Sequence, residues 1–351
     1  YNWKELTAHD LPLLAALKTT LFQRDDEEHR IPIHRSVAEF LGARYLAKLV
    51  ESNGLPFGRI LALMTGGDGG VVPDLRGLMA WLSVHCHTGR PVLIERDSLG
   101  VVLYGDVSNF PVKDKQLVLT ALKNEAQRYP WFRSDDWSSP PFGALGTMDM
   151  IHAFLDILSS PSREEADQAL LDCVLDAIRH GERMPALAEA LEAIARDASY
   201  WPTVRGDAVR TLSHVVSNDA SKLLRLVEDI QARIVEDRDD EILGFLLRKL
   251  YPHFLSPSQI FDYLHLPKDR NRIGSYFSFW IHELPEATAN GDLPLLLDQF
   301  VQRQIALRKI LFEHQLNRMA GELLIRGLEA HGDTITDERL YDWLGVGLDE
   351  Y

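Results

Sequence analysis

His85-Cys86-His87 is the densest run of metal-ligating side chains in the chain. Three consecutive helical residues point about 100° apart, and only an extended backbone would put His85 and His87 on one side. Structural zinc takes four ligands, and no second cluster of cysteine and histidine accompanies the run, so packing at a helix end is its expected role. The motifs of common nucleotide and hydrolase chemistry are also missing: there is no Gly-Lys-Ser/Thr, G-x-S-x-G, H-E-x-x-H or C-x-x-C. The glycine-rich stretch Gly66 to Gly70 has no lysine to reach a phosphate and reads as a flexible loop. No catalytic residue and no metal is assigned to this chain.

Two further groups of residues could do recognition rather than catalysis. Acid is concentrated in Asp25 to Glu28, Asp135-Asp136 and Glu236 to Glu241. None of these runs has the alternating oxygen ligands and central glycine of a calcium loop, and each falls between periodic segments, so solvated turns are expected. The aromatic clusters are Tyr129 to Phe132, Tyr200-Trp201 and Tyr276 to Trp280. Buried aromatics dominate helical cores, whereas an exposed cluster would anchor a protein partner. The third cluster lies near Arg270, Arg272, Arg303, Arg308 and Lys309. Tyr276, Phe277, Phe279, Trp280, Arg270 and Arg272 are therefore the candidate partner-binding residues.

Composition narrows the partners. A net charge of −15 opposes nucleic-acid binding, because cationic neutralisation of phosphates supplies most non-specific affinity. No run approaches the roughly 18 apolar residues of a membrane span. With only Cys86 and Cys173 there is no disulfide framework, which makes a reducing cytoplasm the expected compartment. Tyr1 at the start, without a signal-peptide pattern, suggests a segment of a longer protein.

The elements that must position these residues are helices. Apolar periodicity predicts them at 36–51, 72–87, 113–129, 145–159, 163–180, 184–197, 203–217, 219–236, 239–251, 256–265, 292–317 and 318–331. Ser36 with Glu39, Ser162 with Glu165, and Ser256 with Gln259 have the spacing of N-terminal caps. Val92 to Asp106 is apolar in both periods and contains two glycines; two short helices are favoured over a hairpin. From about residue 145 to 255, helix pairs recur roughly every 35–42 residues, near the HEAT and armadillo period. The expected fold is all-α, an α-solenoid of HEAT/armadillo-like helix pairs, with a compact irregular bundle as the alternative. Trp137 to Gly143, with paired prolines, is the best internal boundary. Tyr341 and Trp343 are read on one helical face of the terminal segment.

Ile33-His34-Arg35-Ser36-Val37-Ala38-Glu39-Phe40-Leu41-Gly42-Ala43-Arg44-Tyr45-Leu46 resembles the signature that closes the winged-helix region of NACHT-type STAND NTPases. Gly69 to Leu82 and Ile94 to Asp106 resemble segments that follow the ATPase in bacterial members, so the likeness covers roughly residues 1–140. It departs at Gly42, where the family often has alanine. The resemblance implies a winged-helix remnant and linking helices over 1–140, HEAT-like repeats over 141–331, and a final helix or the start of a further segment over 332–351. It implies that His34 contacts nucleotide phosphate in an intact parent, where ATP or ADP and Mg would bind; this chain itself would hold no cofactor. It also implies a sensor and autoinhibitory arm that recognises a protein trigger, often in antiphage defence, and an oligomer only in the intact parent. The rival readings are a free-standing HEAT-like scaffold and a helical enzyme using His29, His34, His85 or His87.

Overall fold

Leucine, alanine and glutamate dominate the periodic segments, and these residues lose little rotamer freedom in a helix. The computed structural model describes residues 18–24, 29–134, 138–217, 219–269, 274–313 and 317–345, and they are mostly helical. A short antiparallel hairpin, β1 (Phe22–Arg24) and β2 (Arg30–Pro32), pairs Gln23 with Ile31. The chain divides into one unit ending at Arg183 and another beginning at Met184.

In the first unit the helices are α1 (Arg35–Glu51), α2 (Phe57–Met64), α3 (Arg76–His85), α4 (Arg90–Arg96), α5 (Ser98–Tyr104), α6 (Val112–Arg128), α7 (Ile151–Leu158) and α8 (Glu165–His180). Helix α1 packs on α3, and Ala43, Ala47, Ile60, Met64, Met79 and Leu82 form the shared core. Within Val92 to Asp106 the chain forms two short helices, as favoured, which part at Asp97. That carboxylate caps α5 by accepting from Gly100 N (2.8 Å) and takes both arms of Arg76 (2.7 and 2.9 Å).

Gly66 to Gly70 is a closed turn rather than an open loop. Gly66 N donates to Gly70 O (2.8 Å), Asp68 Oδ1 accepts from Gly70 N (3.0 Å), and Gly69 takes a φ of +78°. The Pro140-Pro141 stretch, where a boundary was expected, lies inside the first unit. It forms a 3-10 turn (Pro140–Leu145) packed on α8. Gly143 and Gly146 allow this, since a Cβ at either would strike the carbonyl of His180 or Ala177.

The first unit also buries an arginine. Arg133 donates to Asp176 (2.7 Å) and Asp172 (3.1 Å) of α8 and lies 4.4 Å over the Phe142 ring. Its neighbour Cys173 is fully buried, and burial pushes that thiol up to about 12. A thiol held there is inert as a nucleophile.

The second unit contains α9 (Ala188–Arg196), α10 (Pro202–Val216), α11 (Ser221–Gln231), α12 (Glu241–Leu250), α13 (Ser275–Ser278), α14 (Leu284–Ala287), α15 (Leu293–Glu313), α16 (Asn317–His331) and α17 (Asp337–Leu344). Consecutive helices pack in pairs: α9 on α10, α11 on α12, and α15 on α16. The helix predicted at 256–265 is only a 3-10 turn, Ile260–Tyr263. Gln259 does return a bond to Ser256 N (3.2 Å), so the cap forms without a helix of length to follow it.

Two other caps differ from expectation. Helix α1 begins at Arg35, and Glu39 bonds Arg35 Nε (2.8 Å) instead of closing a box with Ser36. Helix α8 begins after Glu164, with the Ser162 hydroxyl turned to Asp167. Tyr341 and Trp343 lie on opposite faces of α17: Trp343 is buried while Tyr341 is 79% exposed. Residues two apart on a helix diverge by about 200°. Trp343 Nε1 and the Arg339 guanidinium both bond Asp298 of α15, at 2.6–2.9 Å, which fastens α17 to that helix. Among the described residues no helix is long and apolar enough to cross a membrane.

Candidate functional site

His34 stands immediately before α1 with an extended backbone (φ −109°, ψ 136°), exposed and without a side-chain capping bond. Its neighbour Arg35 reaches Glu39 and both the carboxylate and carbonyl of Asp74, which ties the start of α1 to the 3-10 turn Pro73–Leu75. Glu39 lies directly over Gly77 of α3, where any Cβ would displace it. The two helices thus meet through a glycine and a carboxylate. The start of α1 is thereby fixed while its histidine is left outward.

Helix α1 has two unlike faces. Ala43 and Ala47 are buried against α3, whereas Leu41 (39% exposed) and Tyr45 (60%) point outward, four residues apart and therefore on one side. Ile33, just upstream, is exposed as well. At the edge of the packed face, Phe40 meets Trp81 and His85 edge-on, with centroids 5.0 and 4.8 Å apart. Burial lowers the pKa of His85, and nearby Arg44 and His87 add to the effect. Among the described residues its Nε2 has no hydrogen-bond partner.

The His85-Cys86-His87 run diverges. His85 sits against aromatic rings, Cys86 is fully buried, and His87 Nδ1 faces Arg90 Nη2 at 2.7 Å. Among the described residues no group of three or more His, Cys, Asp or Glu is arranged to hold a metal ion, so His29, His34, His85 and His87 are not brought into one.

The partner-binding residues inferred from the aromatic cluster in the second unit are not a surface. Tyr276, Phe279 and Trp280 are buried and Phe277 is half-buried. Trp280 stacks on Phe261 (6.2 Å, 12° between planes), and Phe261 packs on Phe300. The reason is a tertiary contact: Gly244 of α12 lets the backbone of Ser275 and Tyr276 press against it, where a Cβ would overlap. Arg270 and Arg272 lie outside the described residues, as do the side chains of Arg308 and Lys309. Arg303 is engaged by Asp262 (2.6 Å).

The acidic run 236–241 is solvated only in part: Glu236 and Arg238 are exposed, while two of its carboxylates turn inward. Asp240 is fully buried and Asp237 is 4% exposed. Asp240 takes a left-handed φ of 60° and accepts from Lys268 N (2.8 Å), Lys268 Nζ (2.8 Å) and His265 Nε2 (3.1 Å). Burial opposes its ionisation, but His265 and Lys268 outweigh that and hold its carboxyl below the usual range. Asp237 caps α12 by accepting from Leu243 N (2.9 Å) and Ile242 N (3.4 Å). Burial there prevails, and its carboxyl is raised to about 6.

His265 Nδ1 lies 3.0 Å from the Tyr276 hydroxyl, so carboxylate, imidazole and phenol stand in line. This line does not make a nucleophile. The hydroxyl also accepts from His265 N (2.8 Å) and approaches the carbonyls of Tyr263 (2.9 Å) and His265 (3.1 Å), and burial pushes the phenol up. The arrangement clamps the strand-like segment after Tyr263 onto the acidic turn. No local pattern in the sequence signals it, since its partners are 25–31 residues apart.

Compared with known proteins, the chain matches no family model, no curated protein and no solved structure.

Proposed function

We propose that this chain is the sensor and autoinhibitory arm of a NACHT-type STAND ATPase, acting in the cytoplasm and recognising a protein trigger. The reading rests on the likeness of residues 33–46 to that family's signature. The observation that carries it furthest is the outward face of α1. His34, Leu41 and Tyr45 are exposed on a helix whose opposite face and N-terminal end are fixed by Ala43, Ala47, Glu39 and Arg35. A rigid helix that presents two apolar side chains and an imidazole able to donate a hydrogen bond to a phosphate oxygen suits docking on a nucleotide-bearing module.

In the same reading, the helix pairs of the second unit stack in HEAT-like fashion and carry the trigger surface. The arm restrains the ATPase until the trigger binds, which is a shift of population between closed and open states. Moving such an equilibrium from 1:99 to 99:1 requires the trigger to prefer the open state by about 10⁴-fold.

The test is expression of this chain joined to the coding sequence that precedes it, with ATP turnover as the readout. A P-loop in the same reading frame, and turnover that rises in Leu41→Glu and Tyr45→Glu variants without trigger, would support the proposal. A start codon directly before the chain, or turnover indifferent to both substitutions, would overturn it.

A further inference from the structure

One face of α6 lines a cavity of about 230 Å³ in the first unit. Leu117, Thr120, Ala121, Asn124, Glu125 and Arg128 follow at helical spacing, and Glu95 near the end of α4 completes the wall. The lining combines two carboxylates, one guanidinium, one amide and the Thr120 hydroxyl, which donates to Gln116 O (3.0 Å), over a floor of Leu117 and Ala121.

Most of these polar groups face solvent rather than other side chains: Glu95, Thr120, Asn124 and Arg128 are exposed and Glu125 is half-buried. Glu125 Oε2 accepts from Ser98 Oγ (3.1 Å). Among the described residues its Oε1, Glu95, Asn124 and Arg128 take part in no further hydrogen bond or ion pair. Burial raises the Glu125 carboxyl above its ordinary range, and the negative charge of Asp97 adds to this while Ser98, Arg128 and Arg76 oppose it. A half-buried carboxylate of that kind is relieved by an arriving cation.

We propose that this cavity binds a basic α-amino acid, with its two cationic groups on Glu95 and Glu125, its carboxylate on Arg128, and its methylene chain on Leu117 and Ala121. The charge count matches: two anions and one cation in the wall face two cations and one anion in the ligand. Guanidinium–carboxylate pairing supplies the directional contact. The cavity is smaller than the roughly 300–1,000 Å³ of drug-sized sites, which suits a ligand on the scale of a single amino acid. This site is argued independently of the ATPase-arm proposal, since it uses none of residues 33–46.

Isothermal titration of the full chain with L-lysine and L-arginine, and with L-norleucine as the uncharged isostere, tests it. At least one basic amino acid should bind saturably at roughly millimolar concentration, with norleucine about tenfold weaker or more. Glu125→Gln keeps the Ser98 bond and should weaken binding about tenfold, the scale of one charge-assisted hydrogen bond. Glu95→Gln, at an exposed position with no role in packing, should do likewise, so a folding defect at residue 125 cannot decide the outcome. No saturable binding by either basic amino acid, or equal affinity in wild type and Glu95→Gln, would overturn the proposal.

Discussion

Each unit of the molecule buries several charged side chains, and two of these sites, one centred on a cation and one on an anion, invite comparison. In the first, Arg133 lies between Asp172 and Asp176, with its guanidinium over Phe142. In the second, Asp240 lies beneath Lys268 and His265. A guanidinium stays charged at every working pH, so in the first device only the partner carboxylates can take up a proton. The second is built from groups that titrate, with Asp237 beside it. Asp237 and Asp240, shifted in opposite directions, give the second unit a pH dependence of its own.

The largest effect expected is at the arginine. Arg133→Met leaves Asp176, 5% exposed, with Arg179 as its remaining counter-charge. Loss of one member of a buried pair typically costs about 3–5 kcal/mol, which denaturant unfolding would read as a lowered midpoint for the first unit. An unchanged midpoint would break the comparison at its first term.

Asp240→Asn should cost less, about 1.5–3 kcal/mol, the range for hydrogen bonds to a charged group. The partners it abandons, Lys268 and His265, have side chains 43% and 39% exposed and can be rehydrated. A loss larger than that of Arg133→Met would mean the clamp, not the arginine, is the more strongly coupled element.

The pH dependence sharpens the contrast. Asp237 holds its proton to about 6 when folded but only to its ordinary 3.8 when unfolded. The folded state thus binds that proton more tightly, and stability from this group rises as pH falls from about 7 towards 4. Asp240, whose carboxyl is depressed, contributes stability above 3.8 that is lost as pH falls further. The second unit should therefore be most stable near about pH 4–5, with a gain of roughly 1–3 kcal/mol over pH 7. Asp237→Asn, which can still accept from α12, should flatten that rise. A profile identical to wild type would remove Asp237 as its source.

The smallest effects belong on the outward face of α1. Leu41→Glu and Tyr45→Glu should alter stability by no more than about 0.5 kcal/mol, as exposed positions generally do. A thermal melt that falls by several degrees would show instead that this face is packed within the chain.

Local pattern carried the helices well, and tertiary contacts decided what it missed. Val92 to Asp106 could be read as helical because both halves are apolar, yet the break at Asp97 depends on Arg76, which is 21 residues away. The run from Tyr276 to Trp280 has the composition of either a core or an anchor. Only the close approach at Gly244 makes it a core. The acidic turn looked solvated because charge runs usually are, whereas Lys268 and His265 arrive from a distant segment to bury Asp240. At the candidate site, the exposure of His34 depends on Arg35 and Glu39 tying down the helix start; the residue spacing suggested a different cap, centred on Ser36.

The most direct test mixes this chain with the separately expressed segment encoded upstream of it, in parallel with a titration against Mg-ATP. If α1 is the docking face of an arm, the chain alone should give no saturable heat with Mg-ATP. It should bind the upstream segment, and Tyr45→Glu should weaken that binding at least about tenfold. Saturable nucleotide binding by the isolated chain, or no association with the upstream segment, would contradict it.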